Sequence, residues 1–273
     1  MVATPIGHME DITLRALRTL KDVDVIAAED TRKTRNLLTR HQISTPLVSY
    51  HDHNKEQRTP KLLAKLKAGT SMALVTDAGT PSISDPGHYL VREAISEGVS
   101  VVPIPGASAV IAALSVSGLP TDSFVFVGFV PRKPGKRKAL LDQLKQVPRT
   151  LIFYESPQRL LGLMREILGV MGDRRAVTAR ELTKLHEEIL RGPLSKMIKA
   201  MSASPPLKGE CTLLVAGYKT ERGIDRASIQ NHLRRLHQGQ DGSLSDLVKE
   251  VARESGLPKR VVYEEALKMK KEN

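Results

Sequence analysis

The chain has 273 residues, 40% of them hydrophobic, and carries 42 Lys and Arg against 30 Asp and Glu, a formal net charge of +12. At roughly 100–200 residues per domain this length favours two domains, and without a run of about 18 apolar residues no spanning helix, and so no membrane partner, is expected. One cysteine, Cys211, excludes an internal disulfide framework, leaves too few soft ligands for a structural zinc site and fits a reducing cytoplasm. His51 and His53 form at most a weak metal pair, with phosphate or loop hydrogen bonding as the other reading, and no metal is expected.

In chain order, Val23–Ala27 reads as a strand and Lys33–Arg40 as a helix. Leu47–Tyr50 is strand-like, and Lys55–Lys67 has helical spacing through Leu62, Leu63 and Leu66. Met72–Thr76 is continuous and apolar, the pattern of a strand buried on both faces. Pro86 sits where a helix can begin, ahead of Tyr89–Glu97. Val99–Ile104 reads as a further strand, and Gly106-Ala107-Ser108 opens a helix to about Ser117. This βαβ rhythm predicts an α/β domain with a mainly parallel sheet.

Gly118-Leu119-Pro120 breaks the rhythm, which puts a domain boundary near residue 119. The second unit has predicted strands at Phe124–Phe129, Thr150–Tyr154, Ala176–Ala179 and Cys211–Ala216, a helix at Pro157–Leu168, and a basic loop over Pro131–Lys138. Beyond about residue 221 three helices are predicted, Arg226–Leu236, Ser243–Glu254 and Pro258–Lys270, with Ser243 as N-cap and Gly256 as a stop. The last two read as a helix-turn-helix or as an ordinary helical hairpin.

The positive excess suits a polyanion, because neutralising phosphates releases counterions; a basic protein with no nucleic-acid role is the alternative. With 3% aromatics and no Trp, shape-recognised RNA fits better than stacked single strands.

Three strand-end segments carry the chemistry. Ala3-Thr4-Pro5-Ile6-Gly7 is a turn without the Gly-x-Gly-x-x-Gly spacing of a dinucleotide site. Thr76–Gly87 is long, and dense in Gly, Pro, Asp and Ser; it follows a buried strand, where ligands bind in parallel sheets, and its Asp77 and Asp85 can accept hydrogen bonds from an amine or from ribose hydroxyls. Pro103–Ala109 leads from strand into helix, where free N–H groups at Ser108 and Ala109 attract a carboxylate. Lys208-Gly209-Glu210 precedes the strand at Cys211.

Together these motifs, over residues 1 to about 218, resemble the tetrapyrrole methylase superfamily. Glu10–Leu17, Ala28–Arg32, Tyr50–Asn54, Phe153–Arg159 and Ala179–Lys184 are similar to one branch of it, the bacterial 16S ribosomal RNA cytidine 2′-O-methyltransferases, as is the helical tail. His8 departs from that branch, which usually has Asn after the Gly, and the branch carries several residues ahead of Val2, so a truncated start is expected. The resemblance implies two α/β domains, 1–118 and 119–220, with S-adenosylmethionine in the cleft between them, a helical extension over 221–273, a homodimer, and the 16S ribosomal RNA of the small ribosomal subunit as partner.

Carried onto this chain, the resemblance implies cofactor contacts at Pro5, Asp77, Ala78, Gly79, Ser82, Ile83, Asp85, Ser108, Ala109, Tyr154 and Glu210. Asp30, His51 and Lys184 are the candidate catalytic groups, although Asp30 could equally cap the helix that follows it and Lys184 could simply pair with Glu181 at i, i+3. Arg32, Arg35, Arg180 and the basic loop's Arg132, Lys133, Lys136, Arg137 and Lys138 are the candidate phosphate contacts, with a solvated charge run as the alternative for the loop. Methylation of a tetrapyrrole and a non-enzymatic nucleic-acid-binding role are the competing functions. The basic surplus, the helical tail and the missing Gly-Asp-Pro motif argue against the first; absence of cofactor binding would identify the second.

Overall fold

Val25-Ile26-Ala27-Ala28 is a run of small and branched apolar residues without alternation, and it forms β1 (Val25–Ala28), fully buried at the centre of a three-stranded parallel sheet. β2 (Leu47–Ser49) and β3 (Met72–Val75) flank it, linked through α2 (Thr31–Arg40) and α3 (Lys55–Lys67). Alternate residues face opposite layers. Ile26, Ala28, Ala73 and Val75 pack with Ala16 and Leu20 of α1 (Leu14–Asp22) and Leu37 and Leu38 of α2. Ala27 and Leu74 pack with Tyr50, Leu62 of α3 and Leu90 of α4 (Gly87–Ser96). The computed structural model describes residues 1–203, 208–219, 233, 244–255 and 259–272.

The strand expected at Val99–Ile104 is reduced to a single parallel bridge, Val2 to Ile104. Pro103 and Pro105 flank Ile104 and have no N–H to give a ladder. The helix α1, unforeseen in the sequence, is capped by the Thr13 hydroxyl, which accepts the Ala16 N–H at 3.1 Å. Leu14, Leu17 and Leu20 recur at helical spacing with Ala16 beside them, although only Ala16 and Leu20 are buried.

The second sheet has the order β4-β5-β8-β6-β7, with β4 (Phe124–Phe129) and β5 (Thr150–Glu155) parallel and the other neighbours antiparallel. Its central strands, β5, β6 (Arg175–Arg180) and β8 (Cys211–Val215), are again covered on both faces. Leu151, Phe153, Leu213 and Val215 meet α6 (Pro134–Leu144), α7 (Pro157–Met171) and α8 (Leu194–Ser202) through Leu141, Leu160, Met164, Ile167 and Leu194. Ile152, Leu214 and Val177 face the opposite way, onto Val110, Ala113 and Leu114 of α5 (Ala109–Ser115). The last helix of the first βαβ series thus packs against the second sheet. β7 (Glu188–Pro193) and α8 were not foreseen; β7 has no fully buried residue and follows a highly charged stretch.

The basic segment expected as a loop is helical from Pro134, whose fixed φ suits a first helical position. Glu181 and Lys184, read at helical spacing, lie in a turn where Glu181 and Thr183 take positive φ (50° and 63°).

Residues Met1–Tyr218 form one unit and Lys219–Asn273 another. Within the second, Leu244–Ser255 and Lys259–Glu272 are helices that pack on each other through Val248, Val251, Val262 and Ala266, with Leu233 buried in the same cluster. Apart from Leu233, the predicted helix Arg226–Leu236 lies outside the described residues, as do Ser243 and Gly256. No helix among the described residues is long and apolar enough to cross a membrane.

Candidate active site

Where the first sheet ends, the loops after β1 and β3 lie against the N-terminal segment. Thr4 and Gly79 exchange backbone hydrogen bonds of 2.9 and 3.0 Å, and the Thr80 hydroxyl donates to Ala107 O at 3.3 Å. The chain between Asp77 and Pro86 is contorted: Gly79 has φ 87°, and Ser82 and Ser84 hold 73° and 66° despite their side chains. Strain of that kind persists where the surrounding structure imposes it, and it concentrates at binding sites.

The second sheet brings together the ends of β5 and β6 and the start of β8, because β8 runs antiparallel to both and pairs Cys211 with Glu155 and Arg180. The turn after β6 is tied to the segment before β8. Glu181 N–H donates to Glu210 O at 3.0 Å, Glu210 N–H donates to Glu181 Oε1 at 2.9 Å, and Lys184 Nζ bonds Glu181 at 2.8 Å and Glu210 at 3.1 Å. The same turn reaches the N-terminal segment, where His8 N–H donates to Thr183 Oγ1 at 2.9 Å.

Between these loops lies a cleft of about 360 Å³, within the range of small-molecule sites. Ile6, Ala78, Ala109, Phe129 and Leu182 give it apolar walls, and Glu29, Asp77, Asp85, Glu155 and Glu210 set five carboxylates there against one ammonium, Lys33. In a chain of net charge +12 this is a local inversion of sign. Lys33 Nζ meets Asp77 Oδ2 at 2.8 Å, and Glu155 pairs with Arg159. Burial, with the charges of Glu29, Asp77 and Asp52 adding to it, pushes Asp85 up to about 6. The folded chain therefore holds a proton there that an unfolded aspartate has released near 4, so this group's contribution to stability falls as pH rises from about 4 to about 6. Burial, reinforced by Asp85, raises the Tyr154 phenol to about 12, and burial holds Cys211 as a thiol at about 11, against a nucleophilic role.

A second chamber of about 260 Å³ adjoins the first and shares Ile6, Lys33, Thr76, Asp77, Ala78 and Glu210 with it. Pro5, Gly7, Met9, Asn36 and Lys184 line only this second space. Two carboxylates, Asp77 and Glu210, balance two ammonium groups, Lys33 and Lys184.

Of the expected cofactor residues, Asp77, Ala78, Gly79, Ile83, Asp85, Ser108, Ala109, Tyr154 and Glu210 line the main cleft. Ser82 does not; its hydroxyl is buried without a partner among the described residues. Pro5 lies on the second chamber. Asp30 and His51 line neither. The Asp30 carboxylate caps α2, accepting the Arg32 N–H at 2.8 Å, and is held well below the usual carboxylate range chiefly by the Arg32 guanidinium. Its neighbour Glu29, on the alternate side of the strand end, enters the cleft and accepts the Thr76 hydroxyl at 2.7 Å. Strand alternation was the available signal for Glu29. Asp30→Asn, which preserves a good N-cap, is expected to leave cofactor affinity and the single-turnover rate within twofold of wild type; a tenfold slower rate would return Asp30 to the reaction.

His51 turns toward its own loop. Its N–H donates to Asn54 Oδ1 at 2.9 Å, its Nε2 lies 3.2 Å from the Asn54 amide nitrogen, and its Nδ1 is buried without a partner among the described residues. Lys184 lines the second chamber and stays charged: desolvation works against this, but Glu181 and Glu210 together raise its pKa. Among the phosphate candidates, Arg35, Arg132, Lys133, Lys136 and Lys138 are exposed, and Arg32 is exposed while paired with Asp30. Arg137 instead clamps Glu166 and the carbonyls of Pro131 and Arg132, and Arg180 pairs with Glu188 at 3.1 Å.

A sheet pair of this topology with a ligand cleft at the strand ends defines a class. The chain belongs to the tetrapyrrole (corrin/porphyrin) methylases, whose family model matches residues 1–198. Among its relatives, the protein named ribosomal RNA small subunit methyltransferase I of Synechocystis is 47% identical over 98% of this chain and 97% of its own length. Proteins of the same name from Halalkalibacterium halodurans (47% identical, 96% of this chain and 92% of theirs) and Pseudomonas aeruginosa (44%, 98% and 95%) also match. A cobalt precorrin-4 methyltransferase shares the fold at TM-score 0.58 and 19% identity, over 79% of this chain and 92% of its own. Uroporphyrin-III C-methyltransferase of Thermus thermophilus, solved with S-adenyl homocysteine, does so at 0.55 and 22%, over 79% and 95%.

Proposed function

We propose that this chain is an S-adenosylmethionine-dependent methyltransferase that acts on the ribose 2′-hydroxyl of a cytidine in 16S ribosomal RNA. The observation that carries this reading is the anionic cleft in a cationic chain. A donor with a sulfonium and an ammonium group matches the carboxylates of the cleft, while the basic exterior suits RNA phosphates. Relatives named as small-subunit ribosomal RNA methyltransferases over nearly the whole length support the substrate.

The cofactor residues are those expected from sequence that line the cleft, joined by Glu29 and Lys33. When bound, S-adenosylmethionine supplies a methyl group already made electrophilic by its sulfonium. The chain aligns donor and acceptor between apolar walls that include Ile6 and Leu182. A carboxylate of Asp77 or Glu210 takes up the proton that the hydroxyl releases as its oxygen gains the methyl and the methyl–sulfur bond breaks, leaving the donor as a neutral thioether. Asp77 and Glu210 are the carboxylates on the wall common to both chambers, and charged Lys184 stabilises negative charge developing on the oxygen. Arg32, Arg35, Arg132, Lys133, Lys136 and Lys138 hold flanking phosphates. Residues 1–118 and 119–220 act as the two lobes around the cleft, in a cytoplasmic homodimer.

Calorimetry with S-adenosylmethionine tests the donor: absence of heat from verified folded protein sinks the enzyme reading. Small subunits from a strain lacking the modification, incubated with labelled donor, test the acceptor, since label on a base or none in the RNA refutes ribose methylation. If ionised Asp85 accepts a hydrogen bond from the donor, affinity rises with pH through about 6. Asp85→Asn is expected to flatten that dependence in a calorimetric series from pH 5 to pH 8, and an unchanged slope would assign it to another group.

A further inference from the structure

We propose that the second chamber is the acceptor-nucleoside subsite, and that Asn36 is the side chain that holds the base in it. The proposal rests on the ribose-methyltransferase reading. A methyl group passes between atoms only about 3–3.5 Å apart, so an acceptor must enter a space continuous with the donor's. The second chamber is the adjoining space, sharing with the first the wall that includes Ile6, Asp77, Ala78 and Glu210.

The two chambers differ in charge in a way that sorts their ligands. Five carboxylates against one ammonium suit the cationic donor; two against two suit a neutral nucleoside. At about 260 Å³ the second is on the scale of a single nucleoside rather than a tetrapyrrole macrocycle. A nucleotide stacked in a helix cannot reach such a recess, so the target enters extruded from its stack.

Asn36 lies three residues beyond Lys33 on α2, and so on the same face of the helix. No described residue hydrogen-bonds its amide. An amide offers a donor and an acceptor side by side, the complement of the N3 acceptor and exocyclic amine of cytosine. Met9 contributes an apolar wall, and exposed Arg32 and Arg35 flank Asn36 on the same helix, where phosphates on either side of an extruded nucleotide pass.

Asn36→Ala separates this subsite from the donor site in the full chain, and Ala raises helix propensity, so folding is preserved. The expected result is S-adenosylmethionine affinity within twofold of wild type by calorimetry and at least a tenfold fall in kcat/KM for unmodified small subunits. Asn36→Trp, which fills the chamber, should abolish labelling with donor binding retained. Thr39→Ala, exposed on the same helix outside the chamber, should change neither. An active wild type whose kcat/KM is unaltered by Asn36→Ala and Asn36→Trp overturns the subsite alone. A wild type that binds no donor or labels no subunit overturns the enzyme reading and the subsite with it.

Discussion

Gly7→Val is expected to cut methyl transfer by at least a hundredfold and to lower stability by about 1–3 kcal/mol, the usual cost of overpacking. A Cβ at Gly7 would lie 2.5 Å from Lys184 Cγ, 2.6 Å from Thr183 Oγ1 and 2.8 Å from Leu182 O. The last is backbone in a turn already held at positive φ by its ties to Glu210, so it has little room to yield. To admit the side chain, the N-terminal segment and the 181–184 turn must separate, breaking the bond from His8 N–H to Thr183 and displacing Lys184 and Leu182 from the two chambers. Single-turnover kinetics beside thermal unfolding checks this. Loss of stability with transfer intact would mean that the turn does not shape the reaction space.

Arg159→Ala is expected to have the largest effect on folding, roughly 3–5 kcal/mol, because it leaves a buried carboxylate without its counter-ion. The Glu155 side chain is 2% exposed and the Arg159 side chain 35%. With the guanidinium gone, the Ser156 N–H at 2.8 Å is the remaining strong donor to Glu155. At roughly 2–4 °C per kcal/mol for a unit of this size, Tm should fall by about 10 °C. The double variant Glu155→Gln/Arg159→Ala should recover much of that loss, since it removes the unpaired charge. A single variant that melts within about 2 °C of wild type would refute the argument.

Much of the first sheet was legible because its strands are continuous apolar runs and its helices carry clear periods. Val25–Ala28 and Met72–Val75 fall within or beside their predicted strands, and Lys55–Lys67 matches its predicted helix. Where a segment's conformation depends on partners distant in sequence, legibility failed. Val99–Ile104 has the composition of a strand, yet its prolines limit it to one bridge with Val2. Pro131–Lys138 reads as a basic loop of phosphate contacts, yet Arg137 is a structural clamp on Glu166, 29 residues away.

The candidate site divides in the same manner. Strand-end loops rich in Gly, Pro, Asp and Ser announce a ligand, because backbone at a strand end with little side-chain bulk can approach one; these and the ordered motifs marked Asp77–Asp85, Ser108 and Tyr154 from sequence alone. Tertiary structure decided which neighbouring carboxylate enters the cleft, Glu29 rather than Asp30, since the alternation of a strand end and the demand of a helix cap pull the two side chains apart. It also brought Glu210 against Lys184, and set Asn36 and Met9 on the walls of one chamber. A linear pattern encodes local periodicity and charge, whereas a chamber is lined by segments far apart in sequence that meet only in the folded chain.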